Sequence, residues 1–112
     1  EHTGGWFPFW AAPEQVRILT INEMVADYVD EITTVLREIV LMAPIKYNEV
    51  RFTADMRNES LGKKIREAAA MKIPVQLIVG PKDKSARQVS VRTRDDEQKI
   101  ALDELVAYIK KL

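Results

Sequence analysis

The sequence predicts an α/β fold, a mixed five-stranded sheet flanked by three helices. Three observations predict it. Short stretches rich in β-branched residues with period-two alternation recur along the chain. Two amphipathic helical stripes separate the first three of these stretches. Pro74 and Gly80 bracket one wholly buried-looking strand, VQLIV. The resulting order is β-α-β-α-β-β-β-α.

The elements follow in turn. In QVRILTIN (15–22), Val16, Ile18 and Thr20 alternate with Arg17, Leu19 and Ile21, and Asn22 can cap the helix that follows. Over 23–42, Val25, Tyr28, Val29, Ile32, Val35, Leu36, Ile39 and Val40 recur at three- and four-residue steps, with Asp27, Asp30, Glu31 and Glu38 on the other side. Residues 43–49, with Pro44 and Asn48, make a loop. In the strand at 50–54, Val50, Phe52 and Ala54 alternate with Arg51 and Thr53. Asn58 is the expected N-cap of a helix over 59–71, with Leu61, Ile65, Ala68 and Ala69 inward and Lys63, Lys64 and Arg66 toward water. After the 75–79 strand, QVSVRTR (88–94) alternates Val89 and Val91 with Ser90 and Arg92. An Asp95-Asp96 turn, a strand at 98–100 and a helix over 102–111 close the chain.

Composition narrows the chemistry. A chain of 112 residues, 46% hydrophobic and 30% charged, is one globular domain. It has no cysteine and a single histidine, His2, which removes thiolate and imidazole metal clusters and most Ser-His or Cys-His catalysis. No Gly-rich phosphate loop follows a strand, and Asp95, Asp96 and Glu97 read as a solvated turn, so no metal site is expected. No apolar run reaches the ~18 residues of a membrane span. No signal-peptide pattern opens the chain, and a cytoplasmic setting fits. A start at Glu1 rather than Met suggests a piece of a larger protein.

Charge is unevenly placed. Residues 46–94 hold 12 Lys/Arg against 5 Asp/Glu, whereas 1–45 hold 2 against 7 and 95–112 hold 3 against 5. The net charge of zero hides a basic middle. Arg57, Lys63, Lys64, Arg66, Lys82, Lys84, Arg87, Arg92 and Arg94 fall on strand ends, loops and one helix face, where a polyanion can meet them. An Arg fork can donate two hydrogen bonds to a guanine edge, and single-stranded RNA bases can be read this way.

Two segments resemble a known family. GGWFPFWAAPEQV is similar to the junction where the catalytic core of bacterial-type threonyl-tRNA synthetases passes into their anticodon-binding domain. DMRNESLGKKIREAAAMKIPVQLIVG, followed by QVSVRTR, resembles the body of that domain. The match spans nearly the whole chain and is interrupted around 40–48, where this sequence is longer. RNESLGKKIREA and VSVRTR together favour the threonyl enzyme over the prolyl, histidyl and glycyl relatives that share the fold.

The resemblance implies a sheet that reads the anticodon of threonine tRNA, chiefly its middle guanine and third-position uracil. It places Arg92 on the arginine that reads the guanine, Asn58 on an asparagine at the anticodon, and Lys82 in the Gly-Asp-Lys-Glu segment beside the bases. Here that segment is Gly80-Pro81-Lys82-Asp83, so Asp83 is one methylene short of the usual Glu and Pro81 stiffens the loop and lacks a donor. Arg94 joins this set, and Lys63, Lys64 and Arg66 are expected phosphate contacts. Residues 1–13 would be the end of the catalytic core, with Trp6, Phe7, Phe9 and Trp10 packed against it, and 14–112 the anticodon-binding domain. No catalytic residue and no cofactor are expected in this fragment. ATP and zinc belong to the absent core, through which the parent would be a homodimer. An alternative is a non-catalytic interaction or dimerisation module descended from such a domain. A small α/β ligand-binding domain or enzyme is a third reading.

Overall fold

The computed structural model describes residues 9, 12–38, 50–94 and 96–111. Five strands form one sheet: β1 (Val16–Thr20), β2 (Phe52–Asp55), β3 (Val75–Val79), β4 (Gln88–Arg92) and β5 (Glu97–Ala101). Their order is β2-β1-β3-β4-β5. β2, β1 and β3 run parallel, and β4 and β5 continue antiparallel. The sheet is therefore mixed, as the sequence predicts. The helices are α1 (Ala26–Arg37), α2 (Leu61–Ala70), α3 (Pro81–Ala86) and α4 (Leu105–Lys110). Short 3-10 turns at Glu23–Val25 and Leu102–Glu104 lead into α1 and α4.

The connections β1-α1-β2 and β2-α2-β3 cross the sheet in opposite directions. Right-handed crossovers then require α1 and α2 to cover opposite faces. Tyr28, Val29, Ile32 and Leu36 of α1 and Leu105 and Ile109 of α4 bury one face, carrying Val16, Ile18, Val75, Leu77, Val79, Val89 and Val91. Tyr28 Oη donates to the Gln88 carbonyl at 2.8 Å, which pins α1 to the start of β4. Burial pushes this phenol up to about 12. On the other face α2 lies over β1: Leu19 is buried there, and Arg17 Nη2 reaches Met71 Sδ at 3.3 Å. No long helix lies over the β3-β4-β5 half of that face, where Gln76, Ile78 and Ser90 are nonetheless 4%, 7% and 7% exposed and the surface opens at Arg92, Glu97 and Lys99.

Local structure departs from expectation in four places. The N-cap of α2 is Ser60, whose side chain accepts from the Lys63 N–H, so Asn58 does not cap the helix. Lys64 does not face water: it shares the Leu61–Lys64–Ile65–Ala68 stripe at helical spacing and is 1% exposed. Residues 81–86, read as loop, form α3. Pro81 sits at its first position, where no N–H is needed, and Asp83 Oδ2 accepts from the Gly80 N–H at 2.9 Å. Phe9, expected against a separate catalytic core, packs against this domain's own core, and Gln15 Nε2 donates to its carbonyl. The expectations for Trp6, Phe7, Trp10, Asp95 and residues 40–48 lie outside the described residues. Asn22 caps as expected, with Oδ1 accepting from the Met24 N–H at 3.0 Å.

Candidate nucleic-acid interface

Strand register sets out the open face row by row. Thr53, Arg17, Gln76, Arg92 and Glu97 form one row across all five strands. Ile78, Ser90 and Lys99 belong to the next row of the same face, because side chains alternate with period two. Beyond this row a cavity of about 400 Å³ opens at the C-terminal end of β3. Ile78 and Ile21 supply its apolar surface, Ser90 and Lys99 come from β4 and β5, and Gly80 to Asp83 from the start of α3. The C-terminal ends of parallel strands are where α/β sheets usually take ligands.

A Cβ at position 80 would meet Ile21 Cδ1 at 2.5 Å, so a side chain there would make the half-exposed Ile21 shift in the cavity wall. Asp83 is 5% exposed; Oδ2 is spent on the α3 cap and Oδ1 has no hydrogen-bond partner. Gln76, 4% exposed, likewise leaves Oε1 without a partner, in the same row as Arg92. Buried acceptors of this kind usually find a donor. Among the described residues, these two are the buried side-chain oxygens without one, and both belong to this side of the sheet.

A second, smaller hollow of about 150 Å³ lies between the ends of β1 and β2. Asn58 lines it with Asn22, Met56 and Arg57, and Ile21 lines both hollows. Ile21, Met24 and Met56 are exposed at 47%, 72% and 44%. Apolar surface of this kind suits the face of an unstacked base.

The expected site residues thus divide. Lys82, Asp83 and Arg92 share the open face, with Arg92 two residues beyond Ser90, roughly 7 Å along β4. Asn58 stands at the adjoining hollow. Arg94 is exposed past the end of β4 and does not line either hollow. Lys64 cannot meet a phosphate: its Nζ donates to the Thr20 carbonyl at 2.9 Å and to Thr20 Oγ1 at 3.0 Å. Lys63, on the outer side of α2, pairs with Glu59 at 3.2 Å. Arg66 is exposed on that side and has no acidic partner among the described residues.

The basic middle is also less basic in space than in sequence. Arg57 pairs with Asp55 at 2.8 Å and with Glu67. Lys84 pairs with Asp27 at 2.7 Å and Arg87 with Glu31 at 3.1 Å, both acids on α1. Arg92 pairs with Glu97 at 2.8 Å. The Arg57 hydrogen bond holds the Asp55 carboxyl below its ordinary range, and the same cause lowers Glu67. Sequence reasoning passed over Lys99, Ser90, Gln76 and Ile21. Their alternation with Ile100, Val89, Val75 and Thr20 was visible, but which face would lack a helix was not.

Residues 15–112 match the family model described as the anticodon binding domain. The chain belongs to that family. It is similar to threonine–tRNA ligases: 37% identical over 113 residues to that of Clostridium kluyveri, covering 99% of this chain and 16% of the relative. The likeness to the ligase of Acetivibrio thermocellus is 45% over 96 residues, covering 86% and 14%. The chain therefore spans about a sixth of the length of these curated relatives. Among solved structures it is similar to the RNA-binding domain of threonyl-tRNA synthetase from Cryptosporidium parvum Iowa II, with a TM-score of 0.81 and 26% identity over 98% of this chain and 26% of that one. It is also similar to prolyl-tRNA synthetase from Cryptosporidium parvum, with a TM-score of 0.79 and 28% identity over 95% of this chain and 22% of that one.

The anticodon-binding domain family thus accounts for the parallel-then-antiparallel sheet. Among the described residues no group of three or more His, Cys, Asp or Glu gathers to hold a metal, and no helix is long and apolar enough to cross a membrane.

Proposed function

We propose that this chain is the RNA-reading domain of a threonine–tRNA ligase and that it binds the anticodon loop of threonine tRNA on the open half of its sheet. The observation that carries this is the placement of an arginine fork (Arg92), two lysines (Lys82, Lys99) and apolar Ile21 and Ile78 along and beside the β3-β4-β5 half of one sheet face. Such a face can hold a splayed base by its flat side and hydrogen-bond its edge. The likeness to threonine–tRNA ligases along 99% of the chain supports threonine tRNA over other tRNAs.

In this reading Arg92 leaves Glu97 to donate two hydrogen bonds to the middle guanine of the anticodon. Asn58 reaches a neighbouring nucleotide from the smaller hollow, and Lys82 and Asp83 bracket the base in the larger one. Lys63 and Arg66 meet phosphate more weakly, and Arg94 stands at the rim. The parent enzyme would join threonine to tRNA in the cytoplasm using ATP. Its ATP and zinc would be held in a catalytic core outside this chain, and it would dimerise through that core. The division of the chain into a junction at 1–13 and the RNA-binding domain at 14–112 belongs to the same reading.

The likeness to threonine–tRNA ligases along 99% of the chain favours RNA reading over the dimerisation-module alternative. The test is titration of the chain with a threonine anticodon stem-loop, and with the same hairpin carrying another middle base, across a salt series. Preference for the guanine hairpin that persists while salt weakens both is the expected result. Equal and steeply salt-dependent binding would show phosphate gripping only.

A further inference from the structure

Gln76 sits in the middle of a row on the sheet face, with Arg17 beside it on β1 and Arg92 opposite it on β4. It is 4% exposed, and its Oε1 is closed to solvent and has no hydrogen-bond partner. Leaving such an acceptor unmet costs the folded chain free energy. Arg17 does not serve it: Nε and Nη2 go to Glu14 at 2.8 and 2.9 Å, and Nη2 also meets Met71 Sδ. Arg92 turns the other way and gives Nη1 to Glu97 on β5 at 2.8 Å. Residues directly opposite on neighbouring antiparallel strands bring their Cβ atoms within about 4.5–5.5 Å, well inside an arginine's reach. Arg92 thus stands between two acceptors in one row: an exposed carboxylate that it uses and a buried amide oxygen that it does not.

We propose that Gln76 is a positioning residue for Arg92: once RNA opens the Arg92–Glu97 pair, Gln76 Oε1 accepts a hydrogen bond from the guanidinium and holds the fork on the β3 side of the row. The proposal rests on the RNA-reading function and on Arg92 as the base reader. A guanidinium carries five N–H groups in one plane, so two can go to a guanine edge while a third meets Gln76. Fixing one N–H fixes the plane, and the direction of the other donors follows. The move carries the fork from the β5 edge toward β3, where Ile78 walls the larger cavity two residues along the strand. A neutral amide suits this role. A carboxylate at position 76 would hold Arg92 without RNA and repel the phosphates, whereas an amide oxygen competes weakly with Glu97. Satisfying Oε1 in the complex also offsets part of the cost of opening the ion pair.

The test is a double-mutant cycle on the whole chain, with Gln76→Met, which keeps the length and removes the acceptor, Arg92→Ala, and the two combined. Each is titrated with the threonine anticodon stem-loop and with the hairpin whose middle guanine is replaced, at one salt concentration. Urea unfolding follows stability. The unmodified chain should prefer the guanine hairpin by roughly tenfold or more. Gln76→Met should shrink that preference to about threefold, with an unchanged or higher urea midpoint, because an unmet acceptor has gone. In the Arg92→Ala background the same substitution should leave the ratio of the two affinities as it is. Gln76→Glu, which keeps an acceptor, should retain more of the preference than Gln76→Met while binding both hairpins less tightly. An undiminished preference in Gln76→Met would overturn the proposal and leave base reading by Arg92 intact. So would a loss of preference as large in the Arg92→Ala background, or an equal loss on both hairpins with a lowered urea midpoint, the mark of a merely structural amide. An unmodified chain that binds both hairpins alike would overturn the RNA reading and this proposal together.

Discussion

Lys64 shows how one residue can change meaning between sequence and structure. Its charge is buried against the end of β1, where the ammonium satisfies the Thr20 carbonyl and hydroxyl as α2 crosses the strand. The end of β1 leads directly into Ile21 and Asn22, which line the hollows, so this buried lysine braces the wall of the candidate interface. Lys64→Met should lower stability by about 1–3 kcal/mol, because the Thr20 groups lose a charged donor in a dry site. Urea unfolding measures this. In conditions where the variant remains folded, the salt dependence of hairpin binding should match that of the unmodified chain; a shallower slope would return Lys64 to the phosphate contacts. The helical stripe from Leu61 to Ala68 runs through position 64, so burial was legible in the spacing. Residue type alone pointed the other way, since lysine is buried only when a specific acceptor waits for it.

At the scale of elements, the β2–α2 turn separates a cap from a candidate base contact. Ser60 caps α2, while Asn58 is exposed at the hollow two residues earlier. Ser60→Ala should cost about 0.5–2 kcal/mol in thermal or urea unfolding, and Asn58→Ala should leave stability nearly unchanged while weakening hairpin binding. The reverse pattern would return the cap to Asn58. Both residues are good caps, and the sequence does not say which adopts extended backbone before the first turn. The five strands were legible because β-branched alternation reports a pleated surface directly. The short helix α3 was not, as six residues carry less than two turns of periodicity. Its signal was local: Pro81 at the first helical position and an acid two residues on, able to reach back to Gly80. That same acid lines the larger cavity, so reading the segment as loop missed how Asp83 is held there.

Across the whole molecule, folding redistributes charge. The acidic α1 supplies partners for Lys84 and Arg87, and β5 supplies Glu97 for Arg92, so counts along the chain overstate the basic face. In the proposed reading RNA would have to open the Arg92–Glu97 pair; the Arg92 side chain is 43% exposed, and an exposed ion pair costs little to open. Pairing also predicts the response to acid. Arg57 holds the Asp55 and Glu67 carboxyls below their ordinary values in the folded protein. Groups lowered on folding contribute stability that is fully present above the unfolded values near about 4, and that is lost as pH falls through the folded values. Stability should therefore be flat on these groups' account from neutral pH down to about 5 and decline below about 4, less steeply in Asp55→Asn. Urea midpoints across that range check this, and an equal decline in the variant would contradict it.

The central claim is that the open half of the sheet reads RNA bases through Arg92. The most direct measurement is the ratio of affinities for a threonine anticodon stem-loop and for its counterpart with the middle guanine replaced, compared between the unmodified chain and Arg92→Ala at one salt concentration. The account predicts a guanine preference that Arg92→Ala reduces by about 1–3 kcal/mol. An undiminished preference in the variant would contradict it.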